Sequence, residues 1–306
     1  VDGKAFLGKG VTPENLAARD ETFGYADRFD EKYEVVRSLR KGRYKYLRNY
    51  QAYLPDGLQN NYRYRQLAYE EWRQLYKAGK LNAAQRQFYE PKAVEGLYDL
   101  EADPHEVRNL ADDPTRGKIL EEMRERLQAI VKGLPDLSFY PESEMIDSAL
   151  PGGAKYGQAH KADIARLVDI ADLALYQFAA VRPKLEKALA SSDPWERYWA
   201  LTACSCFGKQ AARLVPAAKA RLKDDTPLVR VRAAEFLAIV QAADPRPTLI
   251  DVLNHAETEA EALIALNTVV FINDHLRGYP FDVSQLKMKT TKGQVARRLD
   301  YLRGKL

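Results

Sequence analysis

Glu95-Gly96-Leu97-Tyr98-Asp99-Leu100-Glu101-Ala102-Asp103-Pro104-His105-Glu106-Val107-Arg108-Asn109-Leu110-Ala111 holds a short strand and the signal that stops it. Residues 97–100 are strand formers, and Asp103-Pro104 turns the chain. Upstream, Tyr44-Lys45-Tyr46-Leu47-Arg48-Asn49 alternates as a half-buried strand does, with Tyr44 and Tyr46 on one face and Lys45 and Leu47 on the other. Lys41-Gly42 separates it from residues 35–40 and reads as a tight hairpin turn. Residues 22–25 supply a fourth candidate strand. Residues 115–132 change period: Ile119, Met123, Leu127, Ile130 and Val131 form one helical stripe, and Gly133 closes it. The expected fold of this part is a small antiparallel sheet with one packed helix.

The quoted stretch resembles the "E-L-Y-D-L-x-x-D-P-x-E-x-x-N-L-A" segment near the C-terminus of type I sulfatases. Other segments follow the same family in order. Gly3-Lys4-Ala5-Phe6-Leu7-Gly8 is similar to "G-x-A-F-L-G". Phe23 to Tyr33 is similar to "F-x-x-x-D-R-x-D-E-x-Y". Val36-Arg37-Ser38-Leu39-Arg40 and Tyr44-Lys45-Tyr46-Leu47-Arg48-Asn49-Tyr50 are similar to "V-R-x-x-R" and "Y-K-Y-I-x-N-Y". Ala78-Gly79-Lys80-Leu81 with Gln85 and Phe88, and then Phe139-Tyr140-Pro141-Glu142, complete the set. The resemblance covers residues 1–147. It implies the C-terminal subdomain of an enzyme that hydrolyses a sulfate ester or sulfamate.

Beyond it the pattern becomes helical. Residues 148–159 contain Pro151-Gly152-Gly153 and read as a linker. Residues 163–180 then carry a helical stripe. Asp193-Pro194 and Asp225-Thr226-Pro227 each supply an N-cap and a rigid first turn. A third helix is expected over 257–272. Each is followed by a second, over 210–222 and 247–254. Helix pairs at a spacing of roughly 30 residues stack as an α-solenoid, and Val229-Arg230-Val231-Arg232-Ala233-Ala234 resembles the HEAT-repeat consensus. The expected core is Val229, Ala233, Phe236, Leu237, Leu263 and Leu266. A last helix over 293–303 would cap the stack. The fold class is therefore α+β: residues 1–147 a sheet with a packed helix, 148–159 a linker, 160–306 an all-α HEAT-like solenoid.

The charge is uneven. The first 150 residues hold 24 Lys and Arg against 26 Asp and Glu, net −2, whereas the whole chain is +4. Neither half has the basic excess of a nucleic-acid binder. No apolar run reaches the roughly 20 residues that span a bilayer. Val1-Asp2-Gly3-Lys4 does not read as a signal peptide; the location of the parent is left open, with export to the periplasm or the cell exterior as one reading. Arg37, Arg40, Lys41, Arg43, Lys45 and Arg48 form the densest basic cluster. It reads either as a solvated strand edge or as a rim for a polyanion such as a sulfated glycan. Cys204 and Cys206 point to different faces of one helix, so buried free thiols are expected rather than a disulfide.

The chemistry of sulfatases requires a formylglycine, made from the Cys or Ser of C/S-x-P-x-R, and a calcium ion. This sequence contains no such motif. Ser192-Asp193-Pro194-Trp195-Glu196-Arg197 comes nearest but has Glu196 where Arg is required, and Ser/Asp-Pro there has a capping explanation. The chain is thus expected to carry no catalytic residue, metal ligand or cofactor of its own, and to be inactive alone. Calcium and formylglycine are implied for the parent enzyme. Substrate-binding candidates come from the resemblance: Arg28, Asp30 and Glu31, with Asn49 and Tyr50. A guanidinium suits an anionic sugar and a carboxylate suits hydroxyls; the competing reading of Arg28, Asp30 and Glu31 is a structural ion pair. The Tyr-rich stretch with Tyr62, Tyr64, Tyr69, Trp72 and Tyr76 reads as packing along a helix over 65–78, with Leu67, Leu75 and Trp72 inward, or as a stacking surface for sugar rings. The expected partners are an N-terminal catalytic domain, a sulfated substrate and a protein on the helical repeats. The alternative is an independent, non-catalytic protein- or glycan-binding module built on the solenoid.

Overall fold

The structure, a computed structural model, describes residues 5–305. Gly3 and Lys4 of the first motif, and Leu306, lie outside the described residues. Four strands form a meander in the order β1-β2-β3-β4: β1 Glu21–Phe29, β2 Lys32–Lys41, β3 Tyr44–Asn49 and β4 Glu95–Asp99. Every neighbouring pair is antiparallel, as expected. Gly42 turns the β2–β3 hairpin with φ +58°, a conformation that costs glycine little. The register shifts between Ala26 and Arg28, so a bulge at Asp27 bends the outer strand.

Side chains on a strand alternate between faces. Tyr33, Val35, Leu39, Tyr46 and Leu97 are buried on one face, and the helix over Gly117–Gly133 (label it α2) covers part of it with Leu120, Met123, Leu127 and Val131. The earlier helix α1, Leu67–Lys77, buries none of its residues. Leu67, expected inward, is 87% exposed, because only the Trp72 side of α1 meets the 87–89 turn. There Trp72 stacks on Phe88 with ring centres 4.5 Å apart, and Tyr76 on Tyr89 at 4.7 Å.

The expected linker is ordered. Residues Leu150–Gly152 form a 3₁₀ turn and Gly153–Ala159 a helix. Gly157 lies against Pro135, whose Cγ would be 3.2 Å from a Cβ at that position. The glycine therefore permits close packing instead of flexibility. The single helix expected over 163–180 is two, α3 Lys161–Ala171 and α4 Phe178–Leu189, with a 3₁₀ turn at Asp172–Leu175 between them. Asp172 leaves the helical path to meet Arg48 of β3, 2.9 Å away.

Six further helices follow: α5 Pro194–Phe207, α6 Val215–Ala220, α7 Pro227–Ile239, α8 Arg246–His255, α9 Glu259–His275 and α10 Gly293–Leu302. α5, α7 and α9 lie side by side, α4, α6 and α8 pack outside them, and α10 rests on α9. Ten of the thirteen residues of α7 are buried, and twelve of the seventeen of α9. A helix buried all round must be covered on both sides. Here the second cover is the sheet region. Trp199 Nε1 of α5 donates to Phe139 O at 2.7 Å, Tyr53 OH donates to Glu235 of α7, and Asn267 of α9 exchanges two hydrogen bonds with the backbone of Tyr33. One continuous apolar core runs from Tyr33 to Leu299. Cys204 and Cys206 are free thiols, Cys204 buried, and burial pushes the Cys204 thiol pKa up.

The six expected core residues are all buried, Phe236 completely. Phe236→Ala should destabilise the chain by about 3–5 kcal/mol. Because the halves share one core, urea unfolding monitored by far-UV circular dichroism and by Trp fluorescence should give coincident transitions. A loss under about 1 kcal/mol would contradict that packing.

Candidate functional site

The β1–β2 turn gathers three of the five candidates. Asp30 has φ +54°, a left-handed conformation that Asp tolerates better than most side chains. This puts its carboxylate over the start of a short helix, where Oδ2 accepts from the Tyr62 amide at 2.8 Å. Glu31 is turned inward and 1% exposed. Its Oε2 accepts from the Asn61 amide at 2.8 Å, and its Oε1 has no hydrogen-bond partner among the described residues. Arg28 makes a two-point ion pair with Glu142, with Nε 2.6 Å from Oε1, and donates to Asp30 O at 3.1 Å. The second and last of the sulfatase-like motifs therefore meet at this ion pair.

The other two candidates lie at the same end of the sheet, where β3 leaves it, but their side chains go elsewhere. Tyr50 is a core residue, 2% exposed, packed edge-on against Phe139 and Trp199 with ring centres 5.0 and 5.9 Å away. Its amide pairs with Val35 O, and that register aims the ring inward. Asn49 is half-buried on the opposite face, and its Nδ2 donates to Ala93 O at 2.8 Å.

Sequence reasoning did not find three participants. Glu142 neutralises Arg28. Arg298 is fully buried behind Glu31, donating to Gln59 Oε1 at 2.7 Å and Asn267 Oδ1 at 3.2 Å. Arg297 lies 3.6 Å from Asp30. Glu142 stood in a quoted motif, but no local signal ties residues 297–298 to residues 30–31.

Burial is the main influence on these charges. It lowers the Arg298 pKa to about 10 and also lowers that of Arg28. Burial raises the Glu31 carboxyl, and the neighbouring Asp30 carboxyl raises it further. At Asp30 burial also acts upward, but the neighbouring Glu31 carboxyl, the Tyr62 amide and Arg297 outweigh it, so Asp30 titrates below its ordinary range. The titrations of the two adjacent carboxyls are thus pushed apart, Glu31 upward and Asp30 downward.

The basic cluster read from the sequence is not a free rim. Arg37 is buried between Asp27 and Asp136, at 2.7 and 2.6 Å, and Arg48 is buried on Asp172. Lys41 pairs with Glu122, Arg43 with Asp99 and Lys45 with Glu106. Only Arg40 of the six lacks an ion pair among the described residues. The Ser192-Asp193-Pro194 segment is a helix cap: Asp193 Oδ1 accepts from the Trp195 amide at 2.8 Å. A calcium–formylglycine centre does not fit the residues present. There is no C/S-x-P-x-R in the sequence, and no cluster of three His, Cys, Asp or Glu suited to a metal among the described residues.

No protein-family model matches the chain. It is 36% identical over 153 residues to an ulvan-active sulfatase of Formosa agariphila. That match covers half of this chain and a quarter of the relative. Half of the chain is sulfatase-related. No described helix is long and apolar enough to cross a membrane.

The Glu31 pKa, raised by folding, gives stability that is fully present below its unfolded value, near 4.5, and is lost as pH climbs through its folded value. Asp30 acts oppositely, and only at lower pH. Glu31→Gln keeps an acceptor for Asn61 without a charge. The melting temperature of this variant should fall less than that of the parent chain between pH 4.5 and 7.5. Parallel pH profiles would refute the assignment.

Proposed function

We propose that this chain is the C-terminal part of a sulfatase, a sulfuric ester or sulfamate hydrolase. Its sheet region completes the substrate pocket of a catalytic domain carried elsewhere in the protein. The observation that carries this reading is the dense, ordered series of motifs from Ala5 to Glu142, together with 36% identity to a sulfatase over half of the chain. The exposed rim of the β1–β2 turn suits such a role. Phe29 and Tyr62 are 44% and 63% exposed and meet edge-on with centres 5.8 Å apart, beside the partly exposed Arg28 and Asp30. An apolar ring next to a held guanidinium and carboxylate is a reasonable wall for a charged sugar. Arg28 and Asp30 remain the preferred contacts; Glu31 would orient Asp30, and Tyr50 would support the core beneath.

In this reading residues 1–147 are the sulfatase subdomain and residues 160–306 a HEAT-like repeat array that braces it and offers its outer helices to a protein partner. The side-by-side α5, α7 and α9 with α4, α6 and α8 outside support it. The formylglycine and calcium would belong to the catalytic domain, and the parent would be exported to reach a sulfated polysaccharide. No step of the hydrolysis falls to residues of this chain.

The natural gene product tests the proposal. It should be several hundred residues longer, with a C/S-x-P-x-R in the added part. A product of this length would support a stand-alone binding module. The chain alone should not turn over a chromogenic aryl sulfate above a boiled control. In the full-length enzyme Arg28→Ala should lower kcat/KM by at least about tenfold, the scale of a lost charge-assisted contact, with a smaller relative effect on Tm. A large fall in Tm with unchanged kcat/KM would assign Arg28 and Glu142 to structure alone.

A further inference from the structure

The sheet face turned away from α2 carries a feature that the β1–β2 site does not use. Tyr98 of β4 points to this side, and in the register it stands opposite Lys45, as Gly96 stands opposite Leu47. Gly96 has ordinary backbone dihedrals for a strand but no room for a side chain: a Cβ there would lie 2.8 Å from Tyr98 Cε2 and 3.0 Å from its hydroxyl. The Tyr98 ring therefore lies flat along the strand over Gly96. No other aromatic ring pairs with it among the described residues, although the aromatics of the 64–89 region pair with one another, stacked or edge-on. One face of the ring is on the backbone; the other is left to a cavity of about 540 Å³.

The other walls are polar and unsatisfied in a specific way. Trp72 lines the cavity with its ring, while its indole N–H is buried out of reach of solvent. Asn49 and Gln87 use their amide nitrogens on Ala93 O and Val107 O, which leaves their side-chain oxygens free of any protein donor among the described residues. The charges, in contrast, are already paired. Lys92 is held by Glu34 and Asp56, Glu106 by Lys45, and Glu95 by Arg124. A site with a bare aromatic face, free amide acceptors and no unpaired Lys or Arg, its one other titratable base being His105, matches a ring that has apolar C–H groups on one side and hydroxyls at its edge. It does not match a sulfate or carboxylate, which needs an unpaired Lys or Arg.

We infer that this cavity is a binding subsite for an uncharged sugar residue of a polysaccharide, with Tyr98 as its platform and Asn49 and Gln87 accepting from hydroxyls. The inference stands apart from the sulfatase reading, because it needs only this face of the sheet.

The test is titration of the intact chain with uncharged cello- and xylo-oligosaccharides and with the same oligosaccharides after chemical sulfation, followed by calorimetry. Saturable binding of at least one uncharged series is expected, weaker after sulfation. Tyr98→Ala and Tyr98→Leu should each weaken it about tenfold, the worth of one aromatic contact, while Tyr98→Phe keeps it. Gly96→Ala should weaken it by lifting the ring. Each variant is first checked for an unchanged circular dichroism spectrum, and Tyr98→Leu serves where the alanine variant fails to fold. No binding by either series, binding only after sulfation, or unchanged affinity in Tyr98→Leu would each overturn the proposal. None of these results bears on whether the full-length protein is a sulfatase.

Discussion

Arg48 and Asp172 hold the two halves of this protein together, and much of the architecture can be derived from that pair. Arg48 is on the third strand, 2% exposed at its side chain, and Asp172 lies at the turn that splits two helices. Removing two charges from water costs several kcal/mol each unless further hydrogen bonds complete their shells. Here they do: the guanidinium also donates to Ala171 O and Val94 O, and Gln128 donates to the second carboxylate oxygen. A partner lost on either side would strand the other, so strand and turn are fixed together. The same logic recurs at Arg232, Glu235 and Tyr53, where a fully buried ion pair of α7 takes a phenol from the sheet region.

These buried polar joints explain why the halves cannot slide. Apolar contact alone is tolerant of small shifts, whereas a buried charge is satisfied in only one arrangement. The β1–β2 turn inherits this rigidity. Asn267 of the helical half holds the Tyr33 backbone that follows the turn and Arg297 pairs with Asp30, so whatever the turn presents to solvent is held by elements more than 230 residues away in sequence.

The sheet and most helices were legible in the sequence, because period and punctuation are local. Lys41-Gly42 named its hairpin, Ile119 to Val131 named their helix, and Asp193-Pro194 named a cap. What the sequence hid were pairings between distant segments. Arg37 and Arg48 look like surface charge until Asp27, Asp136 and Asp172 arrive from elsewhere. Tyr50, adjacent to Asn49 in a sulfatase-like motif, reads as a site residue, yet strand alternation sends it into the core. Pro151-Gly152-Gly153 reads as a linker, yet the segment is a 3₁₀ turn followed by a helix, with Gly157 packed against Pro135. Of the candidate site, the carboxylates and Arg28 were legible as a motif; their arginine neighbours at 297 and 298 were not.

The reciprocal hydrogen bonds between Tyr33 and Asn267 have a consequence for how the protein is made. The two residues are separated by 234 positions. At about 5–20 residues per second of synthesis, the second strand waits roughly 12–47 s for the helix that covers it. Throughout that interval α2 covers part of the inner face, but the Tyr33 end that meets α9 stays bare. The nascent chain is thus adhesive for longer than it takes most small domains to fold, and its yield in a cell depends on what shields that face until α9 emerges.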